Sequence, residues 1–122
     1  MRVSKSSYLD ETKILSLTKG ELSYKLNFYR LLAKLLIKSI EDISGFNSSE
    51  IIGFPELKKN YHKLKPNIKL FCNDSVYQFF LTLELKIKEE TINQGDISDL
   101  CELLKNILLE IQQNTENLST NK

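Results

Sequence analysis

The fold is decided by residues 19–44, KGELSYKLNFYRLLAKLLIKSIEDIS, which carry the longest amphipathic pattern in the chain. Apolar residues recur there at alternating steps of four and three, which is the spacing of one helix face packed against a neighbour. That face consists of Leu22, Leu26, Tyr29, Ala33, Leu36, Ile40 and Ile43. We therefore predict one long helix over 19–44, about 39 Å long at ~1.5 Å per residue.

Both ends of this helix carry capping signals. Thr18 and Glu21 have the spacing of a capping box, and Leu17 and Leu22 have that of a hydrophobic staple. Gly45 follows as a residue that adopts the left-handed conformation easily and so ends helices. We predict that the helix begins after Thr18 and stops at Gly45.

The long helix has a second apolar flank beside its main face, formed by Phe28, Leu31, Leu32 and Leu35. A helix that is apolar over so wide an arc needs more than one neighbour. Two arrangements satisfy this requirement. Either the helix is the central pillar of a compact monomer, or another chain covers the extra flank.

Shorter segments with helical periodicity follow the long helix. We predict helices over 55–65, 74–94 and 97–113. Pro66 ends the first of them, Gly95 stops the second, and Asp96 caps the third. The fold class is therefore all-α, a single-domain bundle of about four helices. The short connection at Gly95 predicts that the last two helices are antiparallel neighbours.

The bundle domain, residues 18–113, is flanked by two segments of different character. We predict that residues 1–17 form an N-terminal arm or a short docking helix. From Gln112 onward Gln, Asn, Thr, Ser and Lys dominate, and we predict a disordered polar tail over residues 114–122.

Composition narrows the function classes. The net charge of +1 gives no overall electrostatic argument for nucleic acid or membrane. Asp10, Glu11 and Lys13 interrupt any secretory signal, and the charge-free run 75–83 is too short to span a bilayer. We therefore expect a cytoplasmic protein without a membrane partner. In that compartment we expect its two cysteines, Cys72 and Cys101, to be free thiols.

The chain lacks the residue spacing of a catalytic, cofactor or metal site. His62 is the single histidine, and no Cys, Asp or Glu lies three or four residues from it. No glycine-rich nucleotide-binding motif occurs. Cys72 and Cys101 are interpreted as small core residues, with a reactive thiol as the minority alternative. We expect no enzyme activity, no cofactor and no metal.

The breadth of the apolar helix face favours a non-enzymatic protein–protein interaction module, such as an adaptor, an inhibitor or immunity-like factor, or an accessory subunit. Its partner would be another protein or a second copy of the chain, which would form a homodimer. The candidate partner-binding residues are Phe28, Leu31, Leu35, Ile51, Ile52 and Phe54.

The alternative is a nucleic-acid-associated helical protein that uses two basic stripes. Residues 56–69 carry five lysines against one glutamate, a net charge of +4. The candidate phosphate contacts are Arg30, Lys34, Lys38, Lys58, Lys59 and Lys63. We rank this function second, because the solvated face of an amphipathic helix carries lysines as well. The ranking depends on whether both stripes lie on one side of the fold.

Overall fold

The computed structural model describes residues 8–120, apart from the side chains of Ile51, Ser119 and Thr120. Every regular element in that range is helical, which confirms the all-α prediction, with five α-helices where about four were predicted. They are α1 (Glu11–Thr18), α2 (Leu22–Ser44), α3 (Phe54–Phe71), α4 (Asp74–Lys88) and α5 (Gln94–Thr120). A 3-10 turn at Ile51–Gly53 leads into α3.

Helix α2 is the central helix of the bundle. It packs mainly against α5 and also contacts α3 and α1. Its buried side chains are Tyr29, Leu32, Leu36, Ser39 and Ile43. This buried face has the predicted period but is rotated by about 50° from the predicted face, at ~100° per residue. The apolar arc is wide, and periodicity alone does not determine which part of it points to the centre.

Helix α5 runs antiparallel to α2. The Gln94 side chain, at the start of α5, donates to the Phe46 carbonyl oxygen over 2.9 Å, just past the end of α2. Further along α5, the Asn114 amide donates to the Tyr29 hydroxyl over 3.5 Å, in the first half of α2. The C-terminal half of α5 therefore lies beside the N-terminal half of α2.

The prediction that the last two helices pair along their lengths was wrong. Helix α4 packs against α3, and α4–α5 is not a major helix pair in the described part of the chain. Helix α4 ends at Lys88 and not at the predicted residue 94, and Gly95, the predicted stop, lies in the first turn of α5. Between the two helices the backbone turns at Glu90, which has a φ of +58°. That turn directs α5 onto the wide apolar arc of α2, which offers it more surface to bury.

Helix α3 does not end before Pro66 but continues through it to Phe71. The proline removes one backbone donor from the helix, which normally ends or kinks it. Ile68 and Phe71 lie beyond the proline, and neither side chain is exposed. Burying two large apolar side chains offsets the lost hydrogen bond and carries the helix one further turn.

Residues 8–10 and α1 tie the N-terminal segment to the core. Leu9 forms an isolated antiparallel bridge with Cys72, and the Asp10 amide donates to the Phe71 carbonyl oxygen over 2.8 Å. The Glu110 carboxylate on α5 accepts a hydrogen bond of 2.7 Å from the Tyr8 backbone amide. Helix α1 packs on α2 and α3. Residues 1–7 of the predicted arm lie outside the described range.

The predicted capping of the long helix was wrong at its start, whereas at its end Gly45 does follow the last helical residue but in another backbone conformation than predicted. Thr18 is the last residue of α1, and its hydroxyl donates to the Ile14 carbonyl oxygen over 2.8 Å. Glu21 occupies the N-cap of α2 without a side-chain capping bond. Lys19, in the left-handed conformation, and Gly20 turn the chain instead. Gly45 has a φ of −83°, so it is right-handed and not the predicted left-handed stop.

A capping box does form, but at the start of α5. The Asp96 amide donates to Asn93 Oδ1 over 2.8 Å, and the Asn93 amide donates to Asp96 Oδ2 over 3.2 Å. Helix α5 therefore begins three residues before the predicted start at 97. At its other end it continues through 114–120, where we predicted a polar tail. Leu118 packs against the hydrophobic core there, while residues 121–122 lie outside the described range.

Candidate partner-binding groove

An open groove of about 960 Å³ runs between α2 and α5. Its apolar surface comes from Leu26, Ala33 and Ile37 on α2 and Ile111 on α5. Ile37 is 47% exposed, which is high for an isoleucine on the central helix. We call this surface the α2/α5 groove. It lies where the apolar arc of α2 meets α5, and Ile37 stays exposed there.

The rim of the α2/α5 groove is mostly cationic. Arg30 and Lys34 line its α2 side and are exposed, and Glu116 lines its α5 side. The Arg30 guanidinium also contacts the side-chain oxygen of Asn27. Two cations against one carboxylate give the rim a net positive charge, so an anionic ligand is attracted to it.

Tyr29 lines the inner part of the groove and is 2% exposed. Its pKa is raised, first by burial and then by the nearby carboxylates of Glu11 and Glu110, while the hydrogen bond from Asn114 opposes the rise. Tyr29 is therefore a neutral phenol. The groove residues include no cysteine or histidine, and the chemistry they offer is apolar contact, hydrogen bonding and positive charge.

The predicted partner-binding residues do not form one surface. Leu31 is 56% exposed and Ile52 is 86% exposed. Phe28 and Leu35 are partly buried against the core. The Phe54 ring is buried edge-on to the Phe46 ring, with centroids 5.0 Å apart. The Ile51 side chain lies outside the described part of the structure.

The second apolar flank of α2 packs mainly against other parts of the same chain. The Phe28 ring meets the Phe71 ring of α3 edge-on, with centroids 5.9 Å apart. Leu32, from the same flank, is 4% exposed. Neighbours within the chain thus cover most of this flank. The unfilled concave surface lies on the opposite edge of α2, in the α2/α5 groove.

The two basic stripes line different grooves. Arg30 and Lys34 line the α2/α5 groove, whereas Lys58 and Lys59 line a pocket between α3 and α4. Lys38 is bound to Asp42 over 3.1 Å. Lys63 is exposed and lines neither of these surfaces. The six predicted phosphate contacts therefore do not form one continuous stripe.

Sequence reasoning missed the α5 wall of the groove. Ile111 belongs to the predicted last helix, but Thr115 and Glu116 fall in the segment predicted to be a polar tail. A signal for them existed, because Ile111, Thr115 and Leu118 continue the helical spacing of four and three. The surrounding polar residues obscured it.

Both thiols are free and buried, as core residues are. Burial, and then the Glu110 carboxylate, raise the pKa of Cys72 to about 12, while Lys13 opposes the rise. Burial also raises the pKa of Cys101. The thiolate is the nucleophilic form, so both environments suppress thiol chemistry.

Among the described residues, no group of three His, Cys, Asp or Glu side chains is arranged to hold a metal ion. No helix within residues 8–120 combines the length and the apolar character needed to cross a membrane. No protein-family model matches the chain, and no curated protein or solved structure matches it either.

Proposed function

We propose that this protein is a non-enzymatic interaction module that binds an acidic amphipathic helix of another protein in the α2/α5 groove. The observation that carries the proposal is an open apolar groove of about 960 Å³ with a net positive rim, on the central helix of the fold. The roles that fit such a module are adaptor, inhibitor or immunity-like factor, and accessory subunit.

The shape of the groove favours a helical ligand. Grooves between two helices commonly receive the apolar face of a third helix, whose anchors are spaced three and four residues apart. From Leu26 to Ile37 the apolar side of the groove follows α2 over eleven residue-to-residue steps, or about 16 Å at ~1.5 Å per step. That length accommodates about three turns of a bound helix.

Charge favours an acidic partner over a second copy of this chain. Carboxylates beside the apolar face of the ligand would meet Arg30 and Lys34. In a two-fold dimer the same surface is used by both subunits. Such a dimer centred on this groove would bring two net positive rims together, which is unfavourable.

We propose that the protein acts in the cytoplasm. Two free cysteines are typical of proteins in reducing compartments.

Fluorescence anisotropy with two designed helical peptides tests the proposal. Both peptides carry the same apolar face, flanked by glutamates in one and by lysines in the other. We expect the glutamate peptide to bind more tightly. Ile37→Asp should abolish that binding, because it places a carboxylate in the apolar part of the groove.

Leu31→Asp is the matched control, because Leu31 is also an exposed apolar residue of α2 but lies outside the groove. Binding should survive this change. The proposal fails if neither peptide binds, or if both variants lose binding equally. A dimer in light scattering that Ile37→Asp dissociates would assign the groove to self-association instead.

A further inference from the structure

A second concave site, independent of the proposed function, lies between α3 and α4. It has a volume of about 430 Å³. Its polar lining consists of Lys58, Lys59, His62 and Lys88, with Glu84 as the one carboxylate. We call it the α3/α4 pocket. Three ammonium groups and an imidazole thus line one cavity, in a protein whose net charge is only +1.

The carboxylates near this pocket already have cationic partners. Glu84 Oε1 is bound by Lys65 Nζ over 3.0 Å, and the bond also raises the pKa of Lys65. Glu90 Oε2 is bound by Lys58 Nζ over 3.2 Å. Within residues 8–120, Lys59 and Lys88 form no ion pair. The pocket therefore keeps an excess of positive charge after these pairs are formed.

The buried part of the pocket lining is mainly apolar and offers few free hydrogen-bond acceptors. Tyr61 lines it and is 2% exposed. Its hydroxyl donates to the Phe80 carbonyl oxygen, and its ring stacks on the Phe80 ring. Ile87 adds an apolar wall. Exposed cationic side chains thus surround a buried, mainly apolar base, and their N–H donors suit a ligand with several acceptor oxygens.

We infer that the α3/α4 pocket binds a chain of neighbouring phosphate groups. Lysine ammonium groups bind phosphate as point charges, and several lysines around one cavity suit several phosphates better than one. The volume of about 430 Å³ also exceeds the space that a single phosphate fills. Free oligophosphates and the backbone of a nucleic acid both supply this chemistry.

The test is isothermal titration of the full chain with inorganic triphosphate and, separately, with a short single-stranded oligothymidine. We expect the double variant Lys59→Gln, Lys88→Gln to weaken binding by about tenfold or more, because two charge-assisted contacts are lost. The control is Lys63→Gln, Lys69→Gln, which removes the same charge from α3 outside the pocket. The control should bind like the unmodified chain.

The two probes separate the two sources of phosphate. Triphosphate binding without oligonucleotide binding identifies a free oligophosphate. Tighter oligonucleotide binding that depends on Lys59 and Lys88 identifies a nucleic-acid backbone. The inference is overturned if neither probe binds, or if both double variants weaken binding equally. Ile37→Asp should leave this binding unchanged, so the groove proposal and this inference fail independently.

Discussion

The Tyr61 ring stacks on the Phe80 ring with centroids 3.9 Å apart, and the Tyr61 hydroxyl donates to the Phe80 carbonyl oxygen over 2.7 Å. One side chain thus makes an aromatic and a polar contact with the same partner residue. Burial, and then Glu84, raise the pKa of the Tyr61 hydroxyl, so it stays protonated and keeps donating. This pair joins α3 to α4, and its Tyr61 member lines the α3/α4 pocket.

Tyr61→Phe should lower the free energy of unfolding by about 1 kcal/mol, because it removes one buried hydrogen bond and keeps the stacked ring. Urea denaturation monitored by circular dichroism measures this change. Tyr24→Phe is the control, since Tyr24 is 61% exposed, and it should change stability by less than about 0.5 kcal/mol. Equal effects at the two positions would contradict the role of the hydroxyl.

Asn93→Ala should destabilise the protein by about 1 kcal/mol, because it removes the side-chain oxygen of the capping box that begins α5. Glu21→Ala should change stability by less than about 0.5 kcal/mol, because the Glu21 side chain makes no capping bond to α2. Thermal unfolding compares the two variants. A larger loss for Glu21→Ala would restore the capping box predicted at Thr18.

Leu9→Ala should cost about 2–4 kcal/mol, because Leu9 is 3% exposed and its removal leaves a cavity in the core. Leu31→Ala, at a position 56% exposed, should cost far less. Hydrogen exchange should also show faster exchange of the Asp10 and Asn73 amides in Leu9→Ala. Unchanged stability would show that residues 8–10 are not part of the folded core.

The buried thiols should make the protein less stable at alkaline pH. The pKa of Cys72 is raised from 9.0 to about 12 in the folded state, so the unfolded chain loses this proton first. Its contribution to stability is complete below pH 9 and is lost as pH rises toward 12. Cys72→Ala should therefore show a shallower loss of stability with pH than the unmodified chain. Identical slopes would contradict the buried environment of this thiol.

Thiol labelling near neutral pH checks the same environment. In Cys101→Ser, which leaves Cys72 as the single thiol, labelling should be slow in the native protein and complete after unfolding. Fast labelling of the native variant would revive the minority hypothesis of a reactive cysteine.

The sequence determined much of the fold, because helical periodicity survives in any packing arrangement. It located α2, the start of α4 at Asp74 and most of α5. It failed at Pro66, where a local preference is opposed by tertiary burial, and at Thr18, where one local hydrogen bond replaces another. Ile68 and Phe71 gain enough by burial to continue α3 past the proline, and the Thr18 hydroxyl finds its partner inside α1.

The candidate site was harder to predict than the fold. The sequence indicated that α2 has more apolar surface than one neighbour covers, and the structure confirms that it contacts three helices. It could not indicate which edge stays open. The open edge depends on which helix α5 packs against. The short connection after α4 predicted α4 as that neighbour, whereas α5 packs against α2.

The antiparallel α2–α5 pair has a consequence for folding during synthesis. Tyr29 and Asn114 are 85 residues apart in sequence, whereas Tyr61 and Phe80 are 19 apart. The α3–α4 hairpin can therefore form soon after it leaves the ribosome, but the part of α2 that packs against α5 cannot be buried until nearly the whole chain has been made. Until then, the surface of α2 that α5 covers in the finished fold remains open to chaperones or to premature association.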